Sequence, residues 1–149
     1  MVDLFLGNWD IHFRRILVNN MINYARERAI EILKTAHVAV LATVGLAGVQ
    51  ASEFPCEAVE LDLYLLVPRT SDHLFNLEQD DRVALHTEQW ELTGKGLVLS
   101  PEEKWPRISI FPKTGTAWYV LVKVVPSQIQ VLRSEGWGPA ETIDLTPSR

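Results

Sequence analysis

The segment Val67-Pro-Arg-Thr-Ser-Asp-His73 carries the richest chemistry in the chain: a guanidinium, two hydroxyls, a carboxylate and an imidazole within seven residues. It runs from the end of a strand into the start of a helix. A helix amino terminus presents unpaired amides, and Arg69, Thr70 and Ser71 add donors beside them. Such donors suit an anion or a phosphate. Asp72 opposes this by placing a negative charge at the same spot. On physics alone the simpler reading is preferred, with Ser71 as the N-cap and Arg69 solvated.

The other reactive side chains give less. His12, His37, His73 and His86 are too scattered for a metal motif, and each reads as a structural or solvated histidine. Cys56 stands at a strand end beside Glu57, which raises rather than lowers a thiol pKa, so a buried structural thiol is expected. Glu57, Glu60 and Asp62 read as a solvated strand-turn. GxGxxG, the P-loop and HExxH are missing, and so is GxSxG. No catalytic acid or base and no metal ligand is named.

The elements that position these residues follow from periodicity. Residues 1–19 form an arm or short helix of unclear period. From Asn20 a helix is expected, with Ile22, Ala25, Ala29, Ile32 and Ala36 on one face and charged residues on the other. Val38–Val44 and Val49–Cys56 read as a hairpin turned at Gly45 and Gly48. Pro55 marks an edge or a bulge. Leu61–Val67 alternates as a third strand and Pro68 stops it. A short helix, Asp72–Gln79, buries Leu74, Phe75 and Leu77. Further strands are expected over 83–88, 95–99, 117–125 and 128–133. Gly94 and Gly96 suggest a bulge or a close backbone approach. Residues 101–114 read as a loop with about one helical turn, and 134–149 as an extended tail.

Connections this short exclude parallel pairing except across the short helix. The expected fold is therefore mainly β (α+β). It is a six-stranded antiparallel barrel with an N-terminal helix and a short helix between strands three and four. Closure removes exposed edges.

Composition bounds the rest. At 149 residues and 47% hydrophobic, the chain suits one domain with a real core. A net charge of -5 argues against duplex nucleic acid. The longest apolar run, Trp118–Val125, is broken by Lys123 and is far short of a membrane span. The amino terminus lacks the pattern of a secretory signal, so a cytoplasmic protein is expected. One cysteine excludes an internal disulfide framework.

The order of these motifs carries a resemblance. His37-Val-Ala-Val-Leu-Ala-Thr-Val-Gly45, a turn at Gly48, Leu63-Tyr-Leu-Leu-Val67, Arg69-Thr-Ser71, Asn76-Leu77 and Arg82-Val-Ala-Leu85 follow one another closely. Over residues 25–133 the chain resembles the pyridoxamine 5'-phosphate oxidase-like family, the FMN-binding split β-barrels. The resemblance implies a homodimer with two flavin sites at its interface. It implies an oxidoreductase that uses FMN, although other members take a deazaflavin, bind haem or have no known activity. Carried over by position, the phosphate falls near Arg69, Thr70, Ser71 and His73, and the ring along Ser52, Phe54 and Val67. Trp90 and Trp118 are candidate walls, with core or dimer packing the preferred reading. Leu4, Phe5, Trp9 and five tryptophans in a short chain agree with a dimer.

The chain also departs from the family. Glu53 stands where a basic residue often meets the phosphate, and Ser71-Asp72-His73 replaces a Ser-x-Lys element. No polar carboxy-terminal substrate region matches. A true pyridoxamine 5'-phosphate oxidase is therefore excluded. The alternative to a flavoprotein is a split-barrel dimer without flavin, acting as a binding or structural module.

Overall fold

A computed structural model describes residues 2–100, 108–110 and 116–145, with side chains in the first helix described from Ile11 onward. The element order is α1 (Val2–Leu33), β1 (Val38–Gly45), β2 (Gly48–Val59), β3 (Asp62–Pro68), α2 (Asp72–Gln79), β4 (Arg82–His86), β5 (Trp90–Val98), β6 (Tyr119–Leu132) and β7 (Pro139–Asp144). A single 3-10 turn, Thr116–Trp118, precedes β6. The strands lie in the order β3-β2-β1-β4-β5-β6-β7, and β3 also pairs with β6. Six strands thus close into an antiparallel barrel, as expected, and β7 adds to β6 outside the closure. Every pairing is antiparallel, so the short helix makes no parallel crossover.

The barrel is split at Pro55. β2 pairs with β1 from Gly48 to Pro55 and with β3 from Cys56 to Val59. The two pairings do not overlap. Proline offers no amide hydrogen to a second ladder, so the changeover sits at the residue that loses least.

Three local boundaries differ from the sequence reading. The first helix does not begin at Asn20 but runs unbroken from Val2. No glycine or proline interrupts residues 8–33, and propensity carries the helix through. The fifth strand starts at Trp90 rather than Lys95. The strands expected over 117–125 and 128–133 are one strand, β6, which passes straight through Pro126. There the register shifts, Gly94 facing Pro126 and Thr93 facing Gln128, so that Ser127 is the extra residue of a bulge beside the missing donor. Only glycine fits at position 94, because a Cβ would collide with the Val125 carbonyl oxygen. The tail also contains strand β7. Of the loop expected over 101–114, only 108–110 lies among the described residues.

Inward-facing Leu41, Leu63, Leu65, Leu85, Val122 and Ile129 fill the barrel. Ala29, Ile32 and Leu33 of α1 join that core at the end where β1 begins, and α2 packs at the end where β1 finishes. A smaller cluster of Tyr64, Leu66, Leu99 and Leu121 lies on the other face of β3 and β6, under Ile108 and Ile110. Glu57, expected as a solvated carboxylate, accepts from the Ser109 amide (2.9 Å) and hydroxyl and holds that cover down.

Candidate functional site

Pro68 ends β3, and the chain turns tightly because the Ser71 amide donates to the Pro68 carbonyl (3.0 Å). The Arg69 amide donates to the Trp118 carbonyl at 2.9 Å, which ties the turn to the start of β6. Ser71 then caps α2 from an extended backbone (φ -69, ψ 135), its Oγ accepting from the His73 amide at 3.3 Å. The N-cap expectation holds.

α2 buries His73, Asn76 and Leu77. This corrects the expected buried face of Leu74, Phe75 and Leu77. Leu77 is right, Leu74 is half-buried and Phe75 is 46% exposed. Residues 73, 76 and 77 share one helical face and Phe75 falls on the other. Two polar side chains occupy the buried face because partners wait for them in β1 and its turn. Thr43 Oγ1 lies 2.7 Å from His73 Nδ1. Asn76 Nδ2 donates to Thr43 Oγ1 (3.2 Å) and to the Gly48 carbonyl (3.0 Å), and Asn76 Oδ1 accepts from the Ala47 amide (3.1 Å). Asn76 approaches so closely that a Cβ at Gly45 would stand 2.6 Å from its Oδ1.

The bonds are satisfied when the Thr43 hydroxyl donates to Nδ1 of a neutral His73 whose proton is on Nε2. Burial lowers the His73 pKa, against a smaller opposing effect of Asp72. The His73 ring meets the Phe54 ring edge-on, with centroids 5.4 Å apart. Its Nε2 is buried and has no hydrogen-bond partner among the described residues.

Of the candidate residues, Arg69, Thr70, Ser71 and His73 lead into α2, Val67 precedes them at the end of β3, Phe54 meets the His73 ring and Ser52 lies two residues earlier on β2; they differ in burial. Phe54, Val67 and His73 are buried and form the inner layer. They touch other side chains and shape the floor. Arg69 and Thr70 are exposed, and Ser52 and Ser71 are half-buried. These can meet a ligand. Of the two acidic residues that weigh against a phosphate, Asp72 is exposed in the first turn of α2. Glu53 instead lies on the outer face of β2, lining a hollow of about 410 Å³ with His37, His86 and Glu88, none of them in α2.

Trp90 is core, 1% exposed, whereas Trp118 is 72% exposed and its carbonyl holds Arg69. Sequence reasoning missed Thr43 and Asn76 as partners. The available signal was His73 and Asn76 at a spacing of three on a short helix beside an inward strand position.

The remaining reactive groups have structural settings. Cys56 is buried, and burial pushes its thiol up to about 11. His86 Nδ1 lies 2.9 Å from Glu91 on the outer face. Among the described residues there is no group of three or more His, Cys, Asp or Glu that could hold a metal ion. No helix among them is long and apolar enough to cross a membrane.

No model of a known protein family matches the sequence, and no curated protein matches it. Solved structures do match. General stress protein 26 from Bacillus anthracis superposes with a TM-score of 0.59 at 18% identity, over 79% of this chain and 97% of that one. A putative pyridoxamine 5'-phosphate oxidase from Listeria innocua gives 0.56 at 19% identity, over 73% and 98%. An FAD-binding protein from Mesorhizobium loti gives 0.51 at 12% identity, over 68% and 89%. At these identities the likeness is one of fold. The chain has the split-barrel fold of the pyridoxamine 5'-phosphate oxidase-like proteins, the resemblance that its motif order carries.

Proposed function

We propose that the chain is a flavin-binding, oxidoreductase-like protein that works as a homodimer, with FMN as its cofactor. The observation that carries this reading is the barrel fold together with the exposed donors Arg69 and Thr70 and the half-buried Ser71 at the head of α2.

The residues present fit a flavin phosphate. A guanidinium forks onto two phosphate oxygens. Ser71 Oγ accepts from its own helix and keeps its O–H to donate. The first amides of α2 add partial positive charge, and Asp72 subtracts from it. Ser52 contacts the ring side. Phe54, Val67 and His73 act beneath this layer, holding α2 and β2 at a set distance. When bound, FMN supplies hydride or electron transfer at its ring. The chain positions it and excludes water.

The test is a titration with FMN at micromolar concentration, followed by flavin fluorescence and the visible spectrum. Quenching and a yellow complex are expected, with at least a tenfold weaker affinity in Arg69→Ala. Absence of both signals in the wild type would overturn the reading.

Asp72 in the first turn favours a second reading, a split-barrel dimer without flavin that serves as a binding module. Flavin reduction by a nicotinamide cofactor, with turnover, would exclude it.

A further inference from the structure

The clamp on α2 has one loose end. His73 is 2% exposed, and its Nε2 has no hydrogen-bond partner among the described residues. In the neutral ring Nδ1 accepts from the Thr43 hydroxyl (2.7 Å), and the same oxygen accepts from Asn76 Nδ2 (3.2 Å). One more proton upsets this pairing. A charged ring donates from both nitrogens and accepts at neither. Nδ1–H then competes with Asn76 for the Thr43 oxygen, the Thr43 proton loses its acceptor, and Nε2–H still faces none. A buried donor without an acceptor is costly, and a buried charge more so.

We propose that His73 is an acid-sensitive latch: when the ring takes up a proton, α2 swings off the end of the barrel while the strands stay paired. The latch itself does not rest on flavin binding. Its consequence for a phosphate does rest on the proposed function, because Arg69, Thr70 and Ser71 lead into α2 and lose their fixed places when it opens.

α2 can move alone. Its eight residues take part in no strand ladder, and β1 beside it keeps β2 and β4 as partners whether α2 is seated or not. Short connections flank it, one turned by the Ser71 amide on the Pro68 carbonyl, the other at Asp80 and Asp81. Leu77 is its one buried apolar side chain; Leu74 is half-buried and Phe75 is exposed. With so little apolar surface covered, the polar clamp decides whether the helix sits, and a segment of this kind opens without the rest of the fold.

The surrounding charges leave the ring to titrate by itself. α2 packs mainly on β1, β2 and β5. β1 has no titratable residue. On β2, Glu53 is turned to the outer face, Glu57 accepts from Ser109, and the Cys56 thiol stays neutral below its pKa of about 11. On β5, Glu91 pairs with His86 and Lys95 is exposed. α2 and the turn before it add Arg69, Asp72 and Glu78, all exposed. Burial holds the pKa of the seated ring below 6.5, and Asp72 opposes this only in part. Once α2 opens, the ring stands in water and returns to its ordinary 6.5. The open form therefore binds the proton better and gains on the seated form as pH falls through 6.5. From pH 7 to pH 5 that gain is at most about 25-fold, reached when the seated ring takes up no proton.

Amide hydrogen exchange followed by NMR on the full chain, without added flavin, tests this at pH 7 and pH 5, with rates corrected for the intrinsic pH dependence of exchange. The Asp80 amide donates to the Asn76 carbonyl (2.9 Å) and closes the last turn of α2. In the wild type, protection of the α2 amides and of Asp80 is expected to fall by about 10- to 25-fold, while β3 and β6 keep theirs. His73→Phe is expected to abolish the pH difference. Equal loss in α2, β3 and β6 overturns the proposal, because the chain then unfolds as a whole. So does unchanged α2 protection in the wild type, or a pH difference that survives in His73→Phe. If His73→Phe does not fold, the imidazole resonances of the wild type decide. His73 is expected as the uncharged Nε2–H tautomer at pH 6.5, and a seated ring already half-protonated there overturns the latch. The readout involves no flavin, so a chain that binds none leaves this test intact.

Discussion

The two ends of the barrel are closed by different physics. At the end where β1 begins, α1 inserts Ala29, Ile32 and Leu33 into the core, and the side-chain bonds to the barrel at this end, Arg28 to Glu141 (3.1 Å) and Thr35 to Gln89 (3.3 Å), lie outside that core. At the end where β1 finishes, α2 is held by His73 and Asn76 through bonds to Thr43, Ala47 and Gly48. An apolar plug tolerates exchange of shape so long as volume is kept. A buried polar clamp tolerates neither displacement nor isosteric apolar exchange, because each partner left behind is a desolvated, unpaired group. The rigid end is the one that presents Arg69, Thr70 and Ser71. The proposed phosphate site would need its donors fixed, and the clamp in α2 would fix them.

Substitutions at the two ends separate these mechanisms. The largest effect is expected at the plug. Leu33 is fully buried, so Leu33→Ala should cost about 2–5 kcal/mol in urea unfolding, while Leu33→Met should cost under about 1.5 kcal/mol. Next is the clamp. Asn76→Ala should cost about 2–3 kcal/mol, and Asn76→Leu, despite its similar size, should be no milder. Equal tolerance of Leu33→Met and Asn76→Leu would erase the distinction between the ends.

The smallest effect is a pH dependence confined to the clamp. Burial depresses the folded-state pKa of His73 below its ordinary 6.5. The unfolded chain then binds more protons, so stability is complete above pH 6.5 and declines as pH falls below it. Asp80, held down to about 2 chiefly by its hydrogen bonds from Arg82, loses its contribution only as pH falls below 3.8. Between pH 7 and pH 5 the wild type should therefore lose more melting temperature than His73→Phe. Parallel melting curves for the two would remove the imidazole from the account.

Much of the architecture was legible from local pattern. The hairpin at Gly45 and Gly48, the stop at Pro68, the Ser71 cap and the alternation of Leu63, Leu65 and Val67 all depend on neighbours within a few residues. The site was legible as a segment but not as layers. Ser52, Phe54 and His73 looked alike as candidates. Only the fold separates Phe54 and His73, buried with their rings nearly perpendicular, from the half-buried Ser52. By its position in the sequence Glu53 falls at the expected phosphate, and its strand turns it to the outer face instead.

The sequence by itself determined the type of the elements from Asn20 to the end of β6 and the antiparallel closure, because strand alternation, cap residues and short turns are local and leave few topologies. The tertiary structure decided the rest. It set the burial of His73 and Asn76, whose partners lie about 30 residues away. It allowed the passage of β6 through Pro126, which depends on a bulge at Ser127 and on the close approach of Gly94 in β5. It seated only the last turns of α1 on the barrel, through Ala29, Ile32 and Leu33, because a helix pattern does not state how far the barrel beneath it extends.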